Sequence, residues 1–496
     1  MWGATTVSMQ FSATPQHREY DAIVVGTGPN GFGAAITLQQ HQLHVLMVEA
    51  EPTCGGGMRT KELTLPGFRH DVCATIHAMG AISPFLTSLP LEEYGLQWSY
   101  PPVPCTHPLD NGDAVALYRS VTDTARQFGK DYGRYETLMA PLVHKAPQLL
   151  QDALAPLRLP HYPVPLLQLG IRVLWSAHQV AHYWLRDARA QALFAGMAAH
   201  AVLPLERWLT AAVGTMLCVS GHVGGWPVVV GGSQYLADAL SRYFIAHGGE
   251  IVCGWPVRTL LELPKAQAVL FDTAPHSMGA ICQPALPAAY LRRLMRYRYG
   301  PAAFKVDFAL ANPIPWSNPL CHQSANVHVG GDFAAIAMAE RAPWHGQTHP
   351  LPFVLVAQQT LFDTHRAPAG KHTAWAYCHV PNGARDDCTA AIEAQIERFA
   401  PGFRDCIVTK HRTFPRDLAR YNPNYVGGDI IGGVQDVWQL FTRPVARLNP
   451  YTTPNPRLYI CSAATPPGGG VHGMCGVHAA RAALPRAFGL SPRHSP

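Results

Sequence analysis

The chain has few charged side chains, no long apolar run and no recognisable cysteine motif. Only 14% of its 496 residues are charged and 48% are hydrophobic, which is typical of a globular chain with a sizeable core. No stretch of about 20 apolar residues is present, so we expect no transmembrane helix. The formal net charge is +6, but no block of Lys and Arg stands out. Nucleic-acid binding is therefore not indicated.

The 12 cysteines are scattered, without a C-x-x-C pair or the spacing of a zinc site. This usage is typical of reduced, buried thiols, and it predicts a cytoplasmic protein without a metal site. Residues 1–18 lack the apolar core of a secretory signal, and we interpret them as a polar lead-in. Residues 161–185 are the most apolar stretch, although Pro, Gln, Arg and His interrupt them. They predict an amphipathic helix that is buried in protein or faces lipid, so peripheral membrane contact stays open.

The most informative segment is residues 21–50. An apolar strand pattern breaks at Gly26, and Gly26, Gly28 and Gly31 have the spacing G-x-G-x-x-G. A predicted helix follows, and a second apolar run then ends at Glu49. This order of strand, glycine turn, helix, strand and acid is that of a dinucleotide-binding βαβ unit.

Each of these residues has a physical role in holding a dinucleotide. Gly26 permits a tight turn, Gly28 lets the backbone approach a pyrophosphate, and Gly31 permits close packing of helix and strand. The helix N-terminus offers free N–H groups and the positive end of a dipole to the phosphates. Glu49 can accept hydrogen bonds from both ribose hydroxyls and would repel a 2′-phosphate. FAD or NAD is therefore favoured over NADP.

Two further loops have the composition of a cofactor site. Residues 54–60 read CGGGMRT, in which the glycines can approach a phosphate and Arg59 can pair with it. Near the C-terminus a short apolar strand leads into a Pro-Gly loop, and a helix begins near Gly473 or Met474. The N-terminus of that helix can stabilise the negative charge of a reduced flavin, by about 1 kcal/mol.

Residues 224–275 form another α/β stretch in the middle of the chain. A glycine-flanked apolar run leads into a predicted helix, for which Ser233 is the expected N-cap. Strands are predicted at 250–253, 256–262 and 266–275. We interpret this stretch as a return of the chain to the nucleotide domain.

These pieces together carry a resemblance to a known family. The matching segments are VVGTGPNG at 24–31, VEAEPTCGGGMRT at 48–60, GGWPVVVGGSQYLADAL at 224–240 and TPPGGGVHGMCG at 465–476. The chain resembles FAD-dependent oxidoreductases of the phytoene desaturase-related family, within the group that shares the glutathione-reductase-type FAD domain. It is most similar to the poorly characterised phytoene dehydrogenase-like proteins of bacteria and mitochondria.

The resemblance implies an α/β fold, α+β overall, with a discontinuous Rossmann-like FAD domain and a separate substrate domain. The FAD domain would comprise residues 19–104, 223–277 and 452–490. Residues 105–222, which are helix-prone, would form a helical cap. Residues 278–451, where alternating strand patterns return, would form a substrate domain around an antiparallel sheet.

The resemblance also implies roles for individual residues, and it implies no metal site. His77 and His472 are the catalytic candidates, and His70, Asp71 and Cys475 are expected near the flavin ring. The residues implied in FAD binding are Gly26, Gly28, Pro29, Asn30, Gly31, Glu49, Ala50, Gly56, Gly57, Met58, Arg59, Val257, Gly473 and Met474.

The implied activity is hydride transfer from a small, apolar or isoprenoid-type substrate to flavin N5, followed by reoxidation by an unidentified acceptor. Three alternatives stay open: a flavin amine oxidase, a redox-neutral FAD-dependent double-bond isomerase, and a non-catalytic FAD-fold binding or regulatory protein. The sequence indicates neither the oligomeric state nor a pair of aromatic residues beside the ring.

Overall fold

The computed structural model describes residues 11–156, 161–162, 164, 167 and 174–492. Much of the helix predicted at 161–185 lies outside these residues. Its described C-terminal part forms a helical turn at Ala177–Gln179 that continues as a π-helical turn at Val180–Trp184. Within the described part of the chain, no helix has both the length and the apolar character needed to cross a bilayer.

The strands, in chain order, are β1 Glu19–Val25, β2 Val45–Val48, β3 Thr60–Lys61, β4 His70–Asp71, β5 Trp98–Ser99, β6 Cys105–Pro108, β7 Ala114–Leu117, β8 Val228–Val229, β9 Glu250–Val252, β10 Lys265–Phe271, β11 Ala302–Leu310, β12 Asn326–Val329, β13 Val354–Ala357, β14 His372–Val380, β15 Ile407–Thr413 and β16 Leu458–Ile460.

Within the described part of the chain, the α-helices of four residues or more are α1 Pro29–Gln39, α2 Val121–Arg126, α3 Tyr132–His144, α4 Ala146–Ala153, α5 Ala188–Ala199, α6 Thr210–Gly224, α7 Gln234–Ala246, α8 Pro275–Ile281, α9 Ala288–Leu294, α10 Phe333–Arg341, α11 Thr389–Phe399, α12 Phe403–Cys406, α13 Pro415–Tyr421, α14 Val437–Thr442 and α15 Met474–Ala487.

A parallel five-stranded sheet forms the nucleotide domain, in the order β16-β10-β1-β2-β9. Strand β2 and the C-terminal parts of β1 (22–25) and β10 (268–271) are continuous apolar runs because both faces of the sheet are covered there. Helices α1, α7 and α15 pack on one face, and α8 and α9 pack on the other. Three distant parts of the chain thus build one sheet, and the predicted βαβ unit β1-α1-β2 is confirmed.

Helices α1 and α15 pack against each other at nearly backbone contact. A Cβ on Gly33 would lie 2.1 Å from the carbonyl oxygen of Gly473, and one on Gly476 would lie 1.8 Å from that of Asn30. No side chain fits at either position. The last helix is therefore seated directly on the helix that follows the first glycine turn.

A seven-stranded sheet forms the second layer, in the order β15-β11-β14-β13-β12-β6-β7. Its pairings are antiparallel except between β12 and β6, which run parallel. Residues 105–117 were expected to be helical, but they form β6 and β7 of this sheet. Their apolar side chains pack beneath α5 and α6, which favours strands over the local helix preference.

The described residues between β7 and β8 are mainly helical, with a core formed by α3, α5 and α6. The strand predicted at 256–262 does not form. Those residues run along the surface of the nucleotide domain and end in a 3-10 turn at Leu260–Glu262. The absence of this strand is explained by the composition nearby, because proline cannot donate a ladder hydrogen bond and glycine weakens a strand. The residues concerned are Gly254, Pro256 and Pro264.

Candidate functional site

A cavity of about 910 Å³ lies at the carboxyl ends of the parallel strands. Its walls come from the turn at 26–30 after β1, residues 48–51 at the end of β2, residues 272–277 after β10, and the C-terminal loop at 469–471. Residues 420–425 close it from the side of the second sheet. Carboxyl ends of parallel strands share one edge, which is where ligands bind in open α/β sheets. The tail loop and the first glycine turn therefore face the same cavity.

Most of the residues expected to bind a cofactor lie on the wall of this cavity. Gly31, Met58, Gly473 and Met474 are not among its lining residues. The predicted residues that line it are Gly26, Gly28, Pro29, Asn30, Glu49, Ala50, Gly56, Gly57, Arg59 and Val257.

The turn after β1 is shaped by its neighbour strand β10. Gly26 adopts φ +107°, a conformation that a side chain would strain, and its Cβ would lie 2.9 Å from the carbonyl oxygen of Asp272. A Cβ on Gly31 would lie 2.2 Å from the carbonyl oxygen of Gly26. Gly31 thus supports close packing of helix and turn, as its place in the glycine motif predicts.

Asp272 is a residue of the cavity wall that the sequence did not single out. Its Oδ2 accepts the backbone N–H of Gly31 at 2.9 Å, at the N-terminus of α1. Burial, together with the nearby charge of Glu49, raises the pKa of Asp272 to about 7, although hydrogen bonds from Gly31 and Gly28 oppose this. The carboxyl group therefore titrates near neutral pH at the point where the glycine motif predicts a pyrophosphate.

Glu49 and Arg59 form a buried ion pair on the same wall, with Arg59 Nη2 3.1 Å from Glu49 Oε1. Glu49 also accepts hydrogen bonds from the backbone N–H and hydroxyl of Thr27 and from the N–H of Glu51. Arg59 donates to the carbonyl oxygen of Thr53 at 2.8 and 3.0 Å. The acid predicted to bind ribose and the guanidinium predicted to face phosphate are thus fixed against each other.

His472 acts as a cap on the last helix. Its Nδ1 accepts the backbone N–H of Met474 at 3.0 Å, and its Nε2 donates to the carbonyl oxygen of Gly468 at 3.2 Å. Burial lowers its pKa to about 4, so the ring is neutral at pH 7. Both ring nitrogens and the N–H of Met474 are therefore engaged within the protein. The predicted catalytic role of His472 stays untested, and these bonds assign it a structural one.

His77 is also buried and neutral, with its pKa lowered to about 4 by burial. Its Nε2 lies 2.9 Å from Ser233 Oγ, and that hydroxyl donates to the carbonyl oxygen of Ala74 at 2.6 Å. Because the hydroxyl hydrogen is used, His77 must donate through Nε2. Its Nδ1 is then a buried acceptor without a partner in the described part of the chain. His77 does not line the cavity, and Ser233 does not cap α7 with its side chain.

A buried charge network joins the nucleotide domain to the second sheet. Arg366, fully buried, lies 2.9 Å from Asp71 and 2.6 Å from Asp363. Burial alone would raise the pKa of Asp71, but Arg366 lowers it. Asp71 also accepts from the backbone N–H of Ser233 and the hydroxyl of Thr60. The network fixes the loop that leads from β4 to His77.

Lys305 on β11 continues this network. Its Nζ donates to the carbonyl oxygen of Asp71 at 3.0 Å and pairs with Asp307 at 2.5 Å. The same nitrogen lies 5.3 Å from the ring centroid of Trp375. Asp307 also lies 3.5 Å from His70, whose pKa burial lowers to about 4. Lys305 is thus buried and bonds to groups of both the β4 loop and the second sheet.

Comparison with known proteins agrees with this geometry. Residues 24–89 match the family model of the NAD(P)-binding Rossmann-like domain. A rat protein called pyridine nucleotide-disulfide oxidoreductase domain-containing protein 2 is 25% identical, over 93% of each chain.

Solved structures share the fold over nearly the whole length. An oxidoreductase from Methanosarcina mazei has a TM-score of 0.59 at 17% identity, covering 93% of this chain and 99% of that one. Wild-type putrescine oxidase has a TM-score of 0.58 at 17% identity, covering 94% and 98%. The predicted fold class is confirmed: the chain has a mixed α/β fold with a Rossmann-like nucleotide-binding domain, shared with oxidoreductases of known structure.

Proposed function

We propose that this protein is an FAD-dependent oxidoreductase that removes a hydride and a proton from an uncharged, apolar substrate. The observation that carries the proposal is the cavity shared by the glycine turn at 26–30, the Glu49–Arg59 pair and the C-terminal loop at 469–471. A mononucleotide would need only the first of these segments. A ligand that extends from a ribose-binding acid to the tail loop needs all of them.

The residues present fit an extended dinucleotide. The volume of about 910 Å³ is at the upper end of the range of small-molecule sites. A Cβ on Gly28 would lie 2.6 Å from Asp272 Oδ2, so the wall stays open there only because the residue is glycine. Glu49 lines the cavity, and because it already accepts from Thr27 and Glu51 and pairs with Arg59, a ribose hydroxyl would replace one of these donors. Gly56 and Gly57 offer backbone without side chains on the facing wall.

Bound FAD would supply a two-electron acceptor for the hydride. The chain's own residues bind and orient it: the N-terminus of α1 faces the phosphates, and Glu49 faces the adenosine ribose. The N-terminus of α15 directs its dipole toward the end of the cavity lined by Gly470 and Val471, where it stabilises negative charge. Ile430 and Gly432, which follow α13 in the chain, line the cavity together with the C-terminal loop.

The distribution of acids in the cavity supports an uncharged substrate over a cationic amine. Among the described residues, the acidic side chains on the wall are Glu49, Glu51 and Asp272, all at the nucleotide end. The opposite end is lined by Val471, Ile430 and neighbouring small residues. An ammonium group would bring an unpaired charge into this apolar end at a cost of several kcal/mol. A flavin amine oxidase is therefore the second candidate, favoured by the shared fold of putrescine oxidase.

The test begins with the purified full chain. We expect it to be yellow or to take up one equivalent of FAD, and anaerobic addition of isoprenoid hydrocarbons to bleach the flavin absorbance. A panel of polyamines and cyclic amines is the comparison. Bleaching by amines alone would transfer the assignment to the amine oxidases. A chain that folds but takes up no FAD would overturn the proposal.

A further inference from the structure

The opposite edge of the parallel sheet brings together three potential metal ligands. His17 precedes β1, His44 immediately precedes β2, and Glu250 is the first residue of β9. Because β1, β2 and β9 are adjacent and parallel, their amino ends meet at one edge. One nitrogen of each imidazole and one carboxylate oxygen all lie within 4.8 Å of one another. The cluster cannot be recognised from sequence spacing, because 205 residues separate His44 from Glu250.

The two imidazoles already have an arrangement suited to a shared ion. Their ring centroids are 4.7 Å apart, with the planes at 76°. Tetrahedral zinc with bonds of about 2.1 Å needs donor atoms about 3.4 Å apart. Side-chain rotation of His17, which is exposed, closes the remaining distance without moving the core.

Neighbouring groups fix the other two ligands in place. The carboxylate of Glu250 accepts the hydroxyl of Tyr20 at 2.6 Å and the backbone N–H of Gln16 at 2.7 Å. The ring of Tyr20 stacks on His44 at 4.8 Å, and Asp21 accepts the backbone N–H of His44 at 2.8 Å. Such outer contacts orient metal ligands in known sites, and each carboxylate oxygen keeps a second lone pair.

We propose that His17, His44 and Glu250 bind a divalent transition-metal ion of the zinc type. Two imidazoles and one carboxylate suit zinc better than magnesium or calcium, which prefer oxygen ligands alone. The fourth position faces solvent beside the exposed His17. The site lies at the amino ends of the strands and the cofactor cavity at their carboxyl ends, so the ion takes no part in redox chemistry. It fastens the segment before β1 to β2 and β9.

The test uses the metal-stripped full chain, with any affinity tag removed, titrated with zinc in a calorimeter and heated with and without zinc. We expect one equivalent of zinc to bind and to raise the melting temperature, and magnesium to do neither. The variants His17→Ala, His44→Ala and Glu250→Gln each weaken zinc binding at least tenfold, about the effect of disturbing a metal site's supporting shell. They leave FAD uptake unchanged, because the ligands lie on the other edge of the sheet.

The matched control is His411→Ala, an exposed histidine on β15, which keeps wild-type zinc affinity. His17→Ala keeps the test valid if Glu250→Gln fails to fold, since His17 is exposed and packs into no core cluster. Equal zinc binding by wild type and His17→Ala, or a rise in melting temperature that the variants share, would overturn the proposal.

Discussion

The carboxylate of Asp272 accepts the backbone N–H of Gly31 at 2.9 Å, which places the acid that follows β10 against the glycine turn that follows β1. Its pKa of about 7 arises first from burial and second from the charge of Glu49. The carboxylate of Asp272 therefore lies at the N-terminus of α1, where the glycine motif predicts that a pyrophosphate binds. If the protein binds FAD as proposed, its affinity for FAD depends on the ionisation of Asp272.

The first prediction concerns this coupling. As the pH rises through about 7, Asp272 ionises and repels the phosphates, so FAD affinity of the wild type falls. In Asp272→Asn the amide oxygen still accepts the N–H of Gly31, and the affinity no longer falls over this range. Fluorescence titration with FAD at about pH 6 and about pH 8 measures the affinity of the wild type and of Asp272→Asn. The exposed Asp123→Asn is the control, and equal wild-type affinity at both values of pH would contradict the coupling.

The second prediction concerns the Glu49–Arg59 pair, in which both side chains are buried. Replacing Arg59 by Met leaves a buried carboxylate without its counter-charge, at a cost of about 3 kcal/mol in the free energy of unfolding. Urea unfolding of the apo chain measures the loss. Arg126→Met is the matched control, because its pair with Asp123 is exposed and contributes well under about 1 kcal/mol. Equal losses in the two variants would show that Glu49 does not depend on Arg59.

The third prediction concerns the contact between α1 and α15. In Gly476→Ala the new methyl group would lie 1.8 Å from the carbonyl oxygen of Asn30, so the helices must separate. We expect a loss of at least about 3 kcal/mol in stability, measured by urea unfolding, together with weaker FAD binding. Gly133→Ala, in α3 with no atom near the added carbon, is expected to be neutral or to gain about 0.5–1 kcal/mol. Two variants of equal stability would disprove the close contact.

The fourth prediction concerns acid sensitivity. Burial lowers the pKa of His70, His77, His107, His222 and His472 to about 4, against 6.5 for an ordinary histidine. The unfolded chain therefore binds more protons than the folded chain between these values. The stability contributed by the neutral rings is fully present above about pH 6.5 and is lost as the pH falls toward 4.

Each lowered unit of pKa corresponds to about 1.4 kcal/mol, so several such histidines make the loss steep. Urea unfolding at several values of pH between 7 and 5 measures it, and His472→Asn should reduce the slope. The raised pKa of Asp272 acts in the opposite direction, since protonation of that carboxyl group favours the folded state below about pH 7. A stability that stays constant down to pH 5 would show that these rings are not buried neutral in solution.

The βαβ unit was predictable because all of its information is local. Gly26, Gly28 and Gly31 have a fixed spacing within one turn, and Glu49 ends the next strand. Asp272 was not predictable in the same way. Its position beside Gly31 depends on β10 lying next to β1, a pairing between residues more than 200 positions apart that no local pattern specifies.

The two histidines chosen as catalytic candidates show a related limit. Sequence placed His77 and His472 near the cofactor loops, but hydrogen-bond partners decide what an imidazole does. His77 bonds to Ser233, and His472 bonds to Gly468 and to the start of its own helix. Likewise, the zinc-site spacing sought along the chain was absent, while His17, His44 and Glu250 meet through strand order alone.

The seating of α15 on α1 has a consequence for synthesis on the ribosome. The glycine turn and β1 are synthesised before the second sheet, whereas β16 and α15, which complete their surroundings, are synthesised after it. Without β16 and α15, β10 lacks its outer partner strand and α1 lacks the helix that packs against it. A chain cut before β16 would lack residues 462–464 and 469–471 of the cavity wall, together with the helix that packs on α1.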